Sequence, residues 1–284
     1  MENGHSDMKI TYLGTNTLLF SKGDSALLVD PHFTRPSTLR LLGKIRPDPQ
    51  AISIHLTRAG IHDLDGILLT HTHYDHALDA AEVLRQTGGA LYGSESALNL
   101  ALGTDLDETS LVQVTPRQGY PIGAFQVSFH PSAHVSFPVP LGWLMPKSGQ
   151  ITQPLRPPAR FWHYQCGKTF AIQVEHILIF GSAGFVDGAY QNLEIETVVL
   201  GIGGLDMKPK TYLHQLYREA VLRPGANQVL LSHWDNFFHP LDGTPRPMCF
   251  ARRSIDRVRE LGARYGQTIQ LLEIGKPLII SKTA

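Results

Sequence analysis

The six residues His71-Thr72-His73-Tyr74-Asp75-His76 constrain this chain more than any other feature, because they place four potential metal ligands where an apolar strand meets a helix. Upstream, Asp65-Gly66-Ile67-Leu68-Leu69-Thr70 is a short apolar run ending in a polar residue, the pattern of a buried strand delivering its C-terminal end to a site. Downstream, Ala77 to Arg85 carries strong helix formers, and Gly88-Gly89 supplies a stop. On such a strand-to-helix turn His71 and His73 can point the same way and hold one cation, while Asp75 and His76 turn toward a neighbouring one. Neutral imidazoles with one carboxylate suit zinc first, with manganese, iron, cobalt or nickel as alternatives. One or two divalent ions per chain are expected. A coincidental histidine cluster on a solvated turn is the competing explanation, and four ligands at a strand–helix junction argue against it.

The HxHxDH pattern resembles the signature of the metallo-β-lactamase superfamily, and the resemblance runs from about Ile10 to the C-terminus. It implies a four-layer αββα sandwich. It also implies a third histidine for the first ion from a later strand end; Phe129-His130-Pro131-Ser132-Ala133-His134 fits, with His134 preferred. The last histidine, for the second ion, is expected after another apolar strand, and Gln228-Val229-Leu230-Leu231-Ser232-His233 matches. An aspartate closing an early strand commonly supports a ligating imidazole from behind in this superfamily, which assigns that role to Asp30.

One position departs from the pattern. The superfamily usually places a bridging aspartate after a strand, and here Ile177-Leu178-Ile179-Phe180 is followed by Gly181-Ser182-Ala183-Gly184, with Ser182 where the aspartate would stand. A neutral hydroxyl bridges cations poorly, and two-metal hydrolases hold their ions roughly 3.5–4 Å apart. Three outcomes stay open: hydroxide or substrate alone bridges, Asp187 or Asp235 reaches in, or only one ion binds tightly.

At 284 residues with 42% hydrophobic content the chain can bury a substantial core, and one domain over residues 1–284 is expected. Lys plus Arg equals Asp plus Glu at 25 each, so no global field attracts polyanions. This argues against a nucleic-acid partner. The cluster Arg252, Arg253, Arg257 and Arg259 alternates with acids on a C-terminal amphipathic segment and is read as a solvated face. Two cysteines, Cys166 and Cys249, are too few for a disulfide scaffold. A reducing compartment follows. The N-terminus lacks a basic start and apolar stretch, and no apolar run reaches the roughly 20 residues of a membrane span, so a cytoplasmic location is expected.

Strands are expected at Lys9–Thr15, Thr17–Ser21 and Ser25–Asp30, the last two as a hairpin turned at Lys22-Gly23-Asp24. Residues 34–60, rich in Arg and Pro, read as a loop. A helix capped by Ser94 follows. Further strands are expected near Leu111–Val114, Phe125–Phe129, Phe170–Val174, Ile177–Phe180, Thr197–Leu200, Gln228–Leu231, Thr268–Glu273 and Leu278–Ile280. Helices are expected near Tyr212–Leu222 and Met248–Leu261. The stretch from about 136 to 165 interleaves six prolines with aromatic and apolar residues, so regular helix or central strand is excluded there. It reads as a lid or pocket wall, with Trp143 and Trp162 as candidate substrate contacts. His239 and Asp235, just after His233, are the other pocket candidates.

The chemistry this points to is metal-assisted hydrolysis. A cation lowers the pKa of bound water from about 15.7 toward 7, giving hydroxide at neutral pH for attack on a carbonyl or phosphoryl centre. Asp75 would bind the second ion, or orient the nucleophile and shuttle its proton. The charge lost at Ser182 favours a small anionic substrate: an ester, lactone or phosphodiester. Asp30-Pro31-His32-Phe33 and Ser232-His233-Trp234-Asp235 are loosely similar to the branch of ascorbate-phosphate lactonases and N-acyl-phosphatidylethanolamine phospholipase D. Two alternatives stand beside this: an iron-dependent redox protein of the same fold, and a degenerate member that binds without catalysis. A small-molecule substrate is the expected partner, with a homo-oligomer possible.

Overall fold

The computed structural model describes residues 7–136, 148–242, 244–249 and 251–280. In chain order, β1 (Met8–Tyr12), β2 (Leu18–Lys22) and β3 (Ser25–Val29) form an antiparallel meander. Then come α1 (Thr38–Leu41), β4 (Lys44–Ile45) and α2 (Pro49–Arg58), followed by β5 (Gly66–Leu68), α3 (Tyr74–Ala77), α4 (Ala80–Thr87), β6 (Ala90–Gly93), α5 (Glu95–Leu102) and β7 (Leu111–Gln113). The second half runs through β8 (Gly119–Ile122), β9 (Phe125–Pro131), β10 (Ala159–Arg160), β11 (Phe170–Val174), β12 (Ile177–Phe180), β13 (Thr197–Gly201), α6 (Lys210–Tyr217), β14 (Gln228–Ser232), α7 (Ala251–Tyr265), β15 (Thr268–Leu271) and β16 (Pro277–Ile280).

Two seven-stranded sheets result, ordered β16-β1-β2-β3-β5-β6-β7 and β15-β14-β13-β12-β11-β9-β8. Each is antiparallel at one end and parallel at the other: β3, β5, β6 and β7 run parallel, as do β12, β13, β14 and β15. Parallel neighbours need crossovers, and helices α3 to α7 supply most of them. Buried on both faces, β5, β12 and β13 read as unbroken apolar runs rather than alternating ones. Residues of both sheets, including Phe20, Leu68, Phe129, Ile172 and Leu230, meet in one core between them. A second cluster lies between the first sheet and its helices, and a third between the second sheet and α6 and α7. The order of layers is helix, sheet, sheet, helix, the αββα sandwich.

Two expectations change, and a third, the lid or pocket wall, lies partly outside the described residues. Residues 34–60 are not a loop: α2 forms because Asp48 caps it by accepting the Ala51 N–H at 3.1 Å, Pro49 occupies the first turn, and Ile52 and Leu56 bury one face at i, i+4 spacing. Within the region expected to be a lid, residues 137–147 and Trp143 lie outside the described residues. The rest is anchored: the Ile151 N–H donates to Ser96 Oγ at 3.0 Å, Asn99 Nδ2 donates to the Ile151 carbonyl, and β10 pairs with β4. Arg257 is not on a solvated face. It is buried on α7 and donates to the Leu205 and Lys208 carbonyls, bracing the turn they bracket, while Arg252, Arg253 and Arg259 are exposed.

Candidate metal centre

All the candidate ligands sit in segments that follow strand ends, where open α/β sheets present their sites. The run after β5 turns directly into α3, so His73 is the N-cap and Asp75 and His76 lie on its single turn. The helix begins inside the motif, three residues earlier than expected from the run of helix formers. His134 follows β9, Ser182 follows β12, and His233 follows β14.

Three groups of potential donors lie close together among the described residues; Asp30 with His71 and His76 is one, and the other two form adjoining sets. In the first, the rings of His71, His73 and His134 lie 4.5–5.0 Å apart, centroid to centroid, with donor atoms mutually within 4.8 Å. In the second, Asp75 Oδ2 lies 3.7 Å from His76 Nε2 and 3.4 Å from His233 Nε2. The sets adjoin through His71 and His76, whose ring centroids are 4.0 Å apart.

Hydrogen bonds on the far side of these rings fix their tautomers. Asp30 Oδ2 accepts from His76 Nδ1 at 2.8 Å, so His76 turns an Nε2 lone pair toward Asp75. The Thr70 hydroxyl gives its single proton to Asp30 at 2.5 Å, which leaves its oxygen to accept from His71 Nδ1 at 3.0 Å. His71 Nε2 is then a buried lone-pair nitrogen with no hydrogen-bond partner. His134 Nδ1 donates to the Val135 carbonyl at 2.8 Å, again leaving Nε2 as the lone-pair atom. An orphaned buried imidazole nitrogen is costly unless something electrophilic meets it, so the donor set fits a cation that prefers nitrogen.

The electrostatics agree. Burial, then the neighbouring imidazoles, holds His71 well below the usual histidine value, and burial with His73 takes His134 down to about 3. Both are therefore neutral ligands at pH 7. Burial pushes Asp75 up, but the imidazoles of His76, His233 and His73 outweigh it and keep the carboxyl below the ordinary carboxylate range. Burial lowers His76, yet the carboxylates of Asp75 and Asp30 raise it overall.

Three expectations for neighbouring residues resolve differently. Ser182 Oγ accepts the Val135 N–H at 3.0 Å, so it ties down the segment carrying His134. Asp235 does not reach in: its carboxylate, 1% exposed, pairs with Arg35 at 2.8 Å and accepts from Tyr12 and the Thr15 N–H. Asp187 is exposed. His239 and Asp235 line a separate cavity of about 260 Å³ that contains none of the ligand candidates. Trp162 packs against Phe161 and under Arg160, and Phe161 rather than Trp162 faces the site.

Residues not anticipated also matter. Asn16 links the two sheets beneath the site, donating to Asp30 and accepting from Ser232, both at 2.8 Å. Tyr12 Oη accepts the His233 N–H at 3.1 Å while donating to Asp235. Thr15-Asn16-Thr17, three polar residues between apolar strands, is the one sequence signal for this layer; Tyr12 and Arg35 carry none. A Cβ at Gly181 would collide with Thr70 Oγ1 at 2.2 Å, and one at Gly203 would press on the His233 ring, 3.0 Å from Nδ1.

The sets open into a cavity of about 310 Å³ lined by His73, Asp75, His76, His134 and His233 together with apolar side chains. A roomier surface groove of about 700 Å³ around Gln173 and Glu194 carries no such donor set.

Known proteins resemble this chain in sequence and in fold. A metal-dependent hydrolase of the UPF0173 group from Christiangramia forsetii is 38% identical over 94 residues, 32% of this chain and 34% of the relative, so the match spans about a third of that relative's length. A metallo hydrolase from the archaeon Ignicoccus hospitalis superposes with a TM-score of 0.59 at 14% identity, covering 98% of this chain and 100% of its own. A diiron β-hydroxylase from Streptomyces venezuelae superposes at 0.58 and 16% identity, covering 97% of this chain and 54% of its own. Those two likenesses are of fold, and they span two chemistries. The sequence model of the metallo-beta-lactamase superfamily matches residues 10–161, just over half of the chain and the part that carries His71 to His134. With the four-layer sandwich, that match makes this chain a member of the metallo-beta-lactamase superfamily.

Proposed function

We propose that this protein is a metal-dependent hydrolase that cleaves an ester, lactone or phosphodiester bond in a small molecule. The observation that carries the reading is the meeting of two three-donor sets, His71/His73/His134 and Asp75/His76/His233, all of which except the buried His71 line one open cavity. Nitrogen-rich donors favour zinc over the harder cations. When bound, such a cation lowers the pKa of water toward 7 and polarises the electrophile.

The chain's own residues do the rest. Asp30 and Thr70 orient His76 and His71, and the Val135 carbonyl orients His134. Asp75, held ionised by its imidazole neighbours, is a poor proton store, so it serves as an anionic anchor and hydrogen-bond acceptor that aligns the attacking water. The water oxygen bonds to the acyl or phosphoryl centre, the bond to the leaving oxygen breaks, and the water proton ends on that leaving group.

Ser182 stands where the superfamily usually places its bridging aspartate, and this bears on stoichiometry. Two divalent ions 4 Å apart repel by about 16 kcal/mol at an effective dielectric of 20, and a shared carboxylate normally offsets part of that. One ion is therefore held tightly and a second weakly. Dialysis against a chelator should remove hydrolysis of generic esters and phosphodiesters, and zinc should restore it. Turnover that survives complete metal removal would contradict the proposal.

A further inference from the structure

Beyond the donor sets, the described wall of the cavity is mostly apolar. Leu41, Phe161, Phe237, Phe238, Met207 and Met248 contribute to its wall, and no lysine or arginine is among the lining residues described. These side chains come from four separate segments: the end of α1, the turn after β10, the turn between β13 and α6, and the stretch after His233. That last stretch folds back on itself, with the Asn236 N–H donating to the Arg246 carbonyl and the Met248 N–H to the Trp234 carbonyl, both at 2.7 Å, so Phe237, Phe238 and Met248 share one wall. Phe161, Phe237 and Phe238 remain half-buried, apolar surface that a ligand would cover.

The described wall does carry carboxylates. Asp206 joins Asp75 there, and Lys208, close by in sequence, instead donates to Ser136 at 2.8 Å and lies over the Tyr212 ring at 4.8 Å. A phosphate or second carboxylate remote from the scissile bond is normally held by arginine or lysine. The expectation of an anionic substrate rested on the charge missing at Ser182, and nothing in this wall adds to it.

We infer that the substrate is a carboxylic ester or lactone whose acyl portion is an uncharged apolar chain seated among Phe161, Phe237 and Phe238. This rests on the hydrolase reading above. Hydrolysis adds water across the acyl C–O bond, releasing a carboxylic acid and an alcohol, with no other reactant.

Two measurements on zinc-loaded protein separate the claims. The first is kcat/KM for p-nitrophenyl acetate, butyrate, hexanoate and octanoate, beside bis(p-nitrophenyl) phosphate and the p-nitrophenyl monoester of succinate. The expected rise is about fourfold for each methylene buried, up to the chain length that fills the cavity. Phe237→Ala and Phe161→Ala should flatten that slope. The second is calorimetric binding of acetohydroxamate and octanohydroxamate, whose shared head group chelates metal whether or not any ester turns over. Turnover that is flat with chain length, or fastest on the anionic compounds, overturns the apolar-acyl inference and leaves the hydrolase standing. Absent turnover with tighter octanohydroxamate binding overturns the hydrolase and keeps the apolar recognition; absent turnover with equal hydroxamate affinities overturns both.

Discussion

At the scale of single residues, backbone strain gathers at the candidate centre. Of the seven non-glycine residues described with positive φ, Asp30 at +43° and His233 at +56° belong to the donor sets or their support, and Thr15 and Arg35 to the adjoining network. Such conformations cost of order 1–3 kcal/mol each and persist where surrounding bonds over-determine them. Here the Tyr12 hydroxyl grips the His233 N–H, and Thr70 and Asn16 grip the Asp30 carboxylate. Ser182 is the residue where the superfamily pattern breaks, and its position after β12, bonded to Val135, puts a longer acidic side chain within the same cavity wall. Ser182→Asp should tighten the weaker ion by about tenfold or more in chelator competition. Unchanged metal affinity would mean that position 182 does not face the ions. The HxHxDH run was legible because four ligands in six residues have few structural explanations. Asp30 was legible only through the resemblance, and the Tyr12 and Arg35 contributions were not, because partners 200 or more positions apart in the chain leave no local pattern.

At the scale of elements, the buried pair Arg35–Asp235 pins three segments together. Its side chains are 2% and 1% exposed; Arg35 also reaches Thr15 Oγ1 at 3.3 Å, and Asp235 accepts from Thr15 and Tyr12. The end of β1, the loop after β3 and the stretch after β14 thus meet at one point behind His233. Burial raises the Asp235 carboxyl, but the Arg35 guanidinium outweighs that and keeps it ionised. Arg35→Met removes the partner and leaves a buried charge, a change expected to cost about 3–5 kcal/mol in urea unfolding. A loss under 1 kcal/mol would show that the network does not hold these elements. The strands were read well from apolar runs bounded by turns, since β12 is wholly apolar and β11, β13 and β14 are interrupted or flanked by only one or two other residues. Helix α2 was missed for a physical reason: only Ile52 and Leu56 of its ten residues are buried, so its periodicity is faint, and the Asp48-Pro49 start was its one clear signal.

At the scale of the whole molecule, both sheets contribute to one central core, so urea should unfold the chain in a single transition. That transition should be acid-sensitive in the metal-free protein. His32 and His134 are brought down to about 3, His32 by burial and then the Arg35 charge. Between about pH 6.5 and 3 the unfolded chain binds protons that these folded rings refuse, so stability falls as pH falls across that window. The slope is about 1.4 kcal/mol per pH unit for each such group. A urea midpoint that does not drop between pH 7.5 and 5 would contradict the buried neutral state of these rings. The fold fixes where ligands converge but not which reaction they serve, since a hydrolase and a hydroxylase both superpose on it. The most direct test is therefore the metal content per chain, by plasma mass spectrometry, of protein purified without a metal-affinity tag, beside His71→Ala/His134→Ala and His76→Ala/His233→Ala. The two donor sets predict at least one zinc per chain in the wild type, with the double variant of the tighter set losing that ion and the other double variant losing only the weaker one. No bound ion after zinc supplementation, or the same content in all three proteins, would contradict a metal centre at these residues.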